Sequence, residues 1–161
     1  MDLGGVIIQR FGQGDTALAD DPLGTPEIDG AIETIARLNH DVFRDAVWIV
    51  SKCGKRVEQL TREWFAAHDF HGRTGVGADR LRFCPTRAEK APICRELGVT
   101  HFVDDRLEVL SLMKGVPHRY LFQPTADEVR AFAHALPMVT VVDGWRALWI
   151  KLEKSRAISG A

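Results

Sequence analysis

The sequence predicts an α/β fold in which parallel strands form a sheet with helices packed on both faces. Apolar segments of four to six residues alternate with longer segments whose apolar residues recur every three to four positions. This alternation indicates crossover connections, which join parallel strands through helices. A length of 161 residues suits one domain with its own core. We therefore expect a single domain over residues 1 to 152 and a loose tail over residues 153 to 161.

The individual elements are predicted from apolar spacing and from signals that begin helices. Thr25 can cap a helix that has a proline in its first turn. Thr86 with Glu89, and Thr125 with Glu128, have the spacing of a capping box. The expected helices cover residues 25–39, 55–68, 86–98, 106–113, 129–136 and 145–152, and the expected strands cover residues 46–51, 80–84, 100–105, 119–122 and 138–142.

Composition indicates an ordinary globular protein. The chain is 45% hydrophobic and 27% charged with a net charge of -1, so no excess of charge indicates a nucleic-acid or membrane partner. The three cysteines, Cys53, Cys84 and Cys94, lack CxxC spacing and an even count, which favours a reducing compartment. Neither a membrane span nor a signal peptide is evident in the sequence. We expect a cytoplasmic protein.

Polar residues stand where the predicted strands end, which is where ligands bind in parallel α/β folds. Ser51 ends one strand, Asp104 and Asp105 end another, and Asp2 would end a third if a strand preceded it. Carboxylates on neighbouring strand ends can share Mg²⁺ with substrate phosphate oxygens. Beside Mg²⁺ and the cation of Lys90, Asp2 would stay ionised and could attack phosphorus to form an aspartyl-phosphate.

These residues carry a family resemblance. Asp2 in "DLGGV", Ser51 at the end of "VWIVS", Lys90, and the acidic pair in "FVDDR" occur in the order of the four motifs of the haloacid dehalogenase-like (HAD) superfamily. The resemblance runs from residue 2 to about residue 122. It implies a three-layer, Rossmann-like fold and a Mg²⁺-dependent phosphatase, and the intervening segments look like those of small nucleotidase-like members.

The resemblance also implies roles for the individual residues. Asp2 resembles the nucleophile and a metal ligand, and Gly4 occupies the place whose backbone carbonyl also binds the metal. Ser51 and Lys90 resemble the pair that orients the phosphate. The expected reaction is hydrolysis of a phosphomonoester, such as a nucleotide or a nucleic acid end.

Further residues are assigned with alternatives left open. Of the acidic pair, Asp105 is the preferred metal ligand with Asp104 in support, although their order could be reversed. Lys52 follows Ser51 directly and Arg87 precedes the helix that carries Lys90, so both could contact a phosphate. The alternative for Lys52 and Arg87 is an ordinary solvated position.

The main departure from the family pattern is Gly4, where phosphatases of this superfamily usually have a second aspartate as general acid and base. Loss of such a group costs about 100- to 10,000-fold in rate where it operates. The alternative function is therefore a binding or regulatory module derived from the same fold without catalysis.

The spacing of the motifs predicts a minimal cap. Residues 8 to 24 are expected to form a flap, and no segment is long enough for a large cap domain. An open site suits a phosphorylated small molecule or a phosphate-bearing macromolecule, or closure by a second copy in a homo-oligomer.

The position of Asp2 raises a structural question, because only Met1 precedes it. In the HAD fold the nucleophile follows the central strand. We therefore expect one of two arrangements: either the chain is shortened at its start and Asp2 keeps its place, or "GVIIQ", residues 5 to 9, fills the central position and moves Asp2 away from the site.

Overall fold

The computed structural model describes residues 1–10 and 21–159. In these residues, short parallel strands alternate with helices, as the sequence predicts. The strands are β1 (Ile49–Lys52), β2 (Leu81–Cys84), β3 (His101–Asp104), β4 (His118–Phe122) and β5 (Thr140–Val142). The α-helices are α1 (Ala31–Arg37), α2 (Lys55–Ala67), α3 (Phe70–Thr74), α4 (Lys90–Glu96), α5 (Leu107–Leu112), α6 (Ala126–Ala131) and α7 (Trp145–Ser159).

The strands form two small parallel sheets. β1 pairs with β2, and β3, β4 and β5 pair in that order. The register places Ser51 beside Phe83 and Asp104 beside Leu121. The fold class is therefore mixed α/β with parallel strands, and the carboxyl ends of β1 and β3 each carry a residue that the sequence singled out.

Met1 and Asp2 lie between the two sheets. The Met1 carbonyl accepts a 2.9 Å hydrogen bond from Val50 N, and the Met1 amine donates one of 2.8 Å to the Trp48 carbonyl. On the other side, Asp2 N donates a 2.9 Å hydrogen bond to the Val103 carbonyl. These bonds connect β1 to β3 through the first two residues of the chain. A cavity of about 140 Å³ adjoins Met1 on the side where both strands begin.

The segment "GVIIQ" does not form a central strand, so the second of the two expected arrangements is not found. Val6, Ile7 and Ile8 all donate backbone hydrogen bonds to the Leu3 carbonyl, which curls the chain into a tight turn. All three side chains are fully buried. The turn satisfies these amides locally, and Asp2 remains beside Val103, between β1 and β3.

The core consists of two hydrophobic clusters that take alternate residues of the same strands. The first contains Val103 and Tyr120 and packs with α1, α2 and α7. The second contains Phe102 and Leu121 and packs with α4 and α5. Successive residues of a strand point to opposite faces, so both faces of the β3–β4 pair are buried.

Two predicted helix starts were wrong. Gln9 N bonds to the Pro26 carbonyl and Ile28 N to the Ile7 carbonyl, so this segment pairs with the turn instead of starting a helix, and α1 begins after Gly30 at a φ of 73°. Thr86 bonds to the Glu89 side chain instead of capping a backbone amide, and α4 begins only at Lys90. The late start puts the proline of this helix in its first turn, where a missing N–H is tolerated.

Other expectations near the chain ends have mixed outcomes. The capping residue Thr125 is confirmed, since its side chain accepts a hydrogen bond from Glu128 N. α7 continues to Ser159, through most of the expected tail. The expected flap falls largely on residues 11–20, which lie outside the described residues. No helix in the described chain combines the length and apolar character that crossing a bilayer requires.

Candidate functional site

The predicted site residues Asp2, Lys90 and Asp104 meet at the carboxyl edge of β3. Lys90 Nζ lies 2.9 Å from Asp2 Oδ1 and 2.8 Å from Asp104 Oδ2. One oxygen each from Asp2, Asp104 and Asp105 can be chosen so that all lie within 4.8 Å of one another. Residues separated by about a hundred positions therefore form one compact group of three carboxylates, two of which contact Lys90.

Lys90 is the central cation of this group. It is the first residue of α4, and it is only 2% exposed. Burial by itself would lower the pKa of Lys90, but the carboxylates of Asp2 and Asp104 outweigh this effect and raise the pKa above its ordinary value. The ammonium group therefore stays charged at neutral pH and holds the two carboxylates together.

Asp104 is the most deeply buried carboxylate of the group, with no exposed surface. Its Oδ2 accepts a hydrogen bond from Lys90, and its Oδ1 accepts one of 2.9 Å from Arg106 N. Burial raises the pKa of Asp104 to about 7, an effect that Lys90 opposes. With both oxygens engaged by the fold, Asp104 has the geometry of a residue that positions Lys90.

Asp105 has a different environment. Its Oδ2 accepts a hydrogen bond from the Arg10 guanidinium, while its Oδ1 is buried and accepts none from the described residues. Burial raises the pKa of Asp105, and Arg10 opposes that shift. Gly5, at a φ of 83°, lies so close that a β-carbon there would stand 2.5 Å from Asp105 Oδ2. The glycine is needed here because a side chain would displace the carboxylate.

Asp2 is buried with only 8% of its surface exposed. Its backbone is fixed by the hydrogen bond to Val103, and its Oδ1 is in ionic contact with Lys90 without an aligned hydrogen bond. Asp2 and Asp105 thus each present a buried carboxylate oxygen with unused acceptor capacity. Buried polar atoms without partners are uncommon in folded proteins and often mark a place for an ion or water.

The remaining predicted residues lie around this group with less direct evidence of a role. Ser51 is buried at the carboxyl end of β1, and Lys52, half-buried, is the last residue of that strand. Arg87 Nη1 lies 3.3 Å from Glu108 Oε2, so the structure pairs it with a neighbouring helix. Gly4 is half-buried, and a β-carbon there would meet Arg10 Cγ at 3.7 Å and no other atom within 4 Å in residues 1–10 and 21–159.

Sequence reasoning missed Arg10 and Glu128. Arg10 pairs with Asp105, as described above. Glu128 is buried, and its carboxylate accepts hydrogen bonds from the Arg106 side chain and from Glu108 N. In the sequence, Glu128 stands out only as part of a capping box, and nothing in its local sequence indicates that its side chain bonds to a distant helix. Arg10 stands in a segment without periodicity, so its spatial neighbours could not be inferred.

Comparison with known proteins adds no family assignment. None of the protein-family models, curated proteins or solved structures compared with this chain matches it.

The donor set fits a small divalent cation. Mg²⁺ prefers carboxylate and carbonyl oxygens and usually keeps several waters. The grouping of Asp2, Asp104 and Asp105 offers such oxygens within a short span, and Asp2 and Asp105 each have a buried oxygen that accepts no hydrogen bond. Asp2 and Asp105, together with the backbone near Gly4, are the residues that could hold the ion.

Proposed function

We propose that this protein is a Mg²⁺-dependent phosphohydrolase of the HAD type that acts on a phosphomonoester through Asp2. The observation that carries the proposal is the position of Lys90 Nζ, 2.9 Å from Asp2 and 2.8 Å from Asp104 at the carboxyl edge of the strands. The proposal includes a three-layer, Rossmann-like arrangement. The two hydrophobic clusters on opposite faces of β3 and β4 support it.

In the first step, a carboxylate oxygen of Asp2 attacks the phosphorus of the substrate. A bond from that oxygen to phosphorus forms while the ester P–O bond breaks, and the leaving oxygen takes a proton from water. In the second step, a water molecule attacks the phosphorus of the aspartyl-phosphate and loses a proton to solvent, while the bond between phosphorus and the Asp2 oxygen breaks and inorganic phosphate leaves. Asp2 is then a free carboxylate again. Nucleophilic catalysis accelerates a reaction in this way because it replaces one difficult displacement by two easier ones.

The surrounding residues hold the reacting groups in place. Lys90 forms an ion pair with Asp2 and would offer positive charge to the phosphoryl oxygens, because its ammonium is buried and held by two carboxylates. Ser51 would donate a hydrogen bond to the phosphate from the neighbouring strand end. A bound Mg²⁺ would neutralise phosphoryl charge beside Asp2 and Asp105.

The glycine at position 4 shapes the expected substrate range. Without an acidic side chain there, the leaving oxygen depends on solvent for its proton. Activity should therefore be highest for phosphomonoesters whose leaving groups are weakly basic, such as aryl phosphates. Nucleotides, nucleic acid ends and other phosphate-bearing macromolecules stay within the proposal, as does closure of the open site by a second copy of the chain.

A second candidate function is a binding or regulatory module without catalysis. The ion pair of Arg10 with Asp105 favours it, because one proposed metal ligand is already neutralised by the chain. In that case the site would bind a phosphate-bearing ligand without forming a phosphorylated Asp2.

Release of phosphate from an aryl phosphate tests the proposal. We expect turnover that depends on Mg²⁺, ceases with a chelator, and is lost in Asp2→Asn. Asp127→Asn is the matched control, because Asp127 is exposed and pairs with Arg130 on the surface. A folded protein that binds Mg²⁺ yet hydrolyses no member of a broad phosphomonoester panel would contradict the catalytic proposal and favour the binding module.

A further inference from the structure

We propose that Arg10 has two alternating partners: it is the counter-ion of Asp105 before a cation binds, and it becomes a phosphate-binding residue once the cation has replaced it at Asp105. This inference rests on the proposed function, because it assumes that Asp105 is a metal ligand. It adds a residue that the sequence motifs do not include.

The contact itself is the first line of support. The Arg10 guanidinium donates to Asp105 Oδ2, the oxygen next to the buried and unpartnered Oδ1 of the same carboxylate. Burial lowers the pKa of Arg10, but the charge and hydrogen bond of Asp105 and, to a lesser extent, the charges of Asp2 and Asp104 raise it above its ordinary value, so Arg10 interacts favourably with all three carboxylates. A guanidinium and a divalent cation would therefore compete for the same negative charge.

Charge balance gives the second line of support. When Asp2, Asp104 and Asp105 are all ionised, they carry three negative charges, and Lys90 and Arg10 supply two positive ones. Replacing Arg10 by Mg²⁺ would bring the group to neutrality and leave the guanidinium without its carboxylate. A phosphate dianion arriving beside the metal then offers Arg10 two oxygens in the planar geometry that guanidinium groups prefer.

The surroundings of Arg10 allow this exchange. Its side chain is 36% exposed, whereas that of Asp105 is 15% exposed, so the arginine is the partner that can move at low cost. Both residues line an open depression together with Gly5 and Gln123. As far as residues 1–10 and 21–159 define this depression, rotation of the partly exposed side chain within it needs no rearrangement of the core.

Calorimetric titration of the full chain with Mg²⁺ tests the exchange without relying on turnover. We expect Arg10→Gln to bind Mg²⁺ about fivefold more tightly than the wild type, the size expected when one partly exposed ion pair no longer competes. Arg10→Lys keeps a competing charge and should retain an affinity near that of the wild type. Arg73→Gln is the matched control, because Arg73 is 38% exposed and pairs with Glu27.

A second titration measures binding of inorganic phosphate at saturating Mg²⁺. Here Arg10→Gln should bind about tenfold more weakly, because a charge-assisted contact is lost, and Arg10→Lys should lose less. Equal Mg²⁺ and phosphate affinities in the wild type and Arg10→Gln would overturn the inference and leave the phosphatase proposal standing. Failure of both the wild type and Arg10→Gln to bind Mg²⁺ would overturn the proposed metal site and this inference with it.

Discussion

The indole Nε1 of Trp145 donates a 2.8 Å hydrogen bond to the Val6 carbonyl, so the first residue of α7 holds the turn that follows Asp2. Both residues are buried. Trp145→Phe should lower the free energy of unfolding by about 1 to 3 kcal/mol, because it leaves the buried carbonyl without its donor. Urea denaturation measures this loss. Trp149→Phe is the control, since Trp149 is only partly buried and packs against Arg37. An equal loss of stability in Trp149→Phe would contradict a specific role for the hydrogen bond of Trp145.

Lys90→Met should be strongly destabilising, by about 3 to 5 kcal/mol at neutral pH, because it leaves buried carboxylates without their cation. The loss should shrink as the pH falls, since burial raises the pKa of Asp104 to about 7 and this carboxylate can then take up a proton and lose its charge. Chemical denaturation at pH 5 and pH 8 measures the difference. Adding Asp104→Asn to Lys90→Met should restore part of the stability. A loss independent of pH would show that Lys90 stabilises the fold through packing instead of charge.

Gly5→Ala should weaken Mg²⁺ binding more than it weakens the fold. An alanine β-carbon there would meet Asp105 Oδ2, and the φ of 83° adds backbone strain. Gly98→Ala is the matched control, because Gly98 also has a positive φ, of 65°, yet its added β-carbon has no atom within 4 Å among the described residues. We expect both variants to lose about 1 kcal/mol of stability and Gly5→Ala alone to lose metal affinity. Equal Mg²⁺ affinity in both would exclude Asp105 as the affected ligand.

Gly4→Asp should increase phosphatase activity. The described residues leave room for a side chain, since among them a β-carbon at Gly4 would meet only Arg10 Cγ, at 3.7 Å. An added general acid typically increases the rate by about 100-fold or more where protonation of the leaving group limits it. The gain should be largest for alkyl phosphates and smallest for aryl phosphates. Gly4→Asn, which cannot donate a proton in the same way, is the control, and an equal gain in it would contradict acid catalysis.

His101 should make the protein less stable below neutral pH. Burial and the stacked ring of His118 lower the pKa of His101 from 6.5 to about 4, and Phe43 and Tyr120 pack near its ring. The unfolded chain therefore binds a proton at a higher pH than the folded one, so this contribution to stability is complete above pH 6.5 and is lost as the pH falls toward 4. In His101→Phe, the midpoint temperature of thermal unfolding should change less with pH over that range than in the wild type. His134→Gln, at an exposed position, should leave the pH dependence of the midpoint temperature unchanged. If this pH dependence persists in His101→Phe, it arises from other groups.

The sequence predicted the alternation of elements well, because buried strands and amphipathic helices have distinct apolar periods. The bounds of β1, β3 and β4 agree with the expected strands to within a few residues. The capping role of Thr125 is confirmed. Helix starts failed where tertiary bonds compete with local signals: Pro26 pairs with Gln9, and Thr86 bonds to a side chain. A local pattern cannot reveal such distant partners.

The candidate site divides in a similar way. Asp2 and Asp104 could be predicted to lie together, since residues at the carboxyl ends of parallel strands share one edge. Lys90 begins a helix instead, and its place beside them was expected only from the order of the motifs. The pairing of Arg87 with Glu108 and of Arg10 with Asp105 depends on side-chain paths in connecting segments. Such segments have no periodicity, so the distribution of charge around the site is known only from the three-dimensional structure.

The position of Met1 between β1 and β3 has a practical consequence for producing the protein. A purification tag joined to the Met1 amine would begin in the cavity lined by Trp48, Val99 and His101. Its first residues would then be held within two residues of Asp2, and their sequence could change both solubility and the measured affinity for Mg²⁺. Recombinant material for all of these assays should carry its tag at the other end of the chain, or compare two different leader sequences.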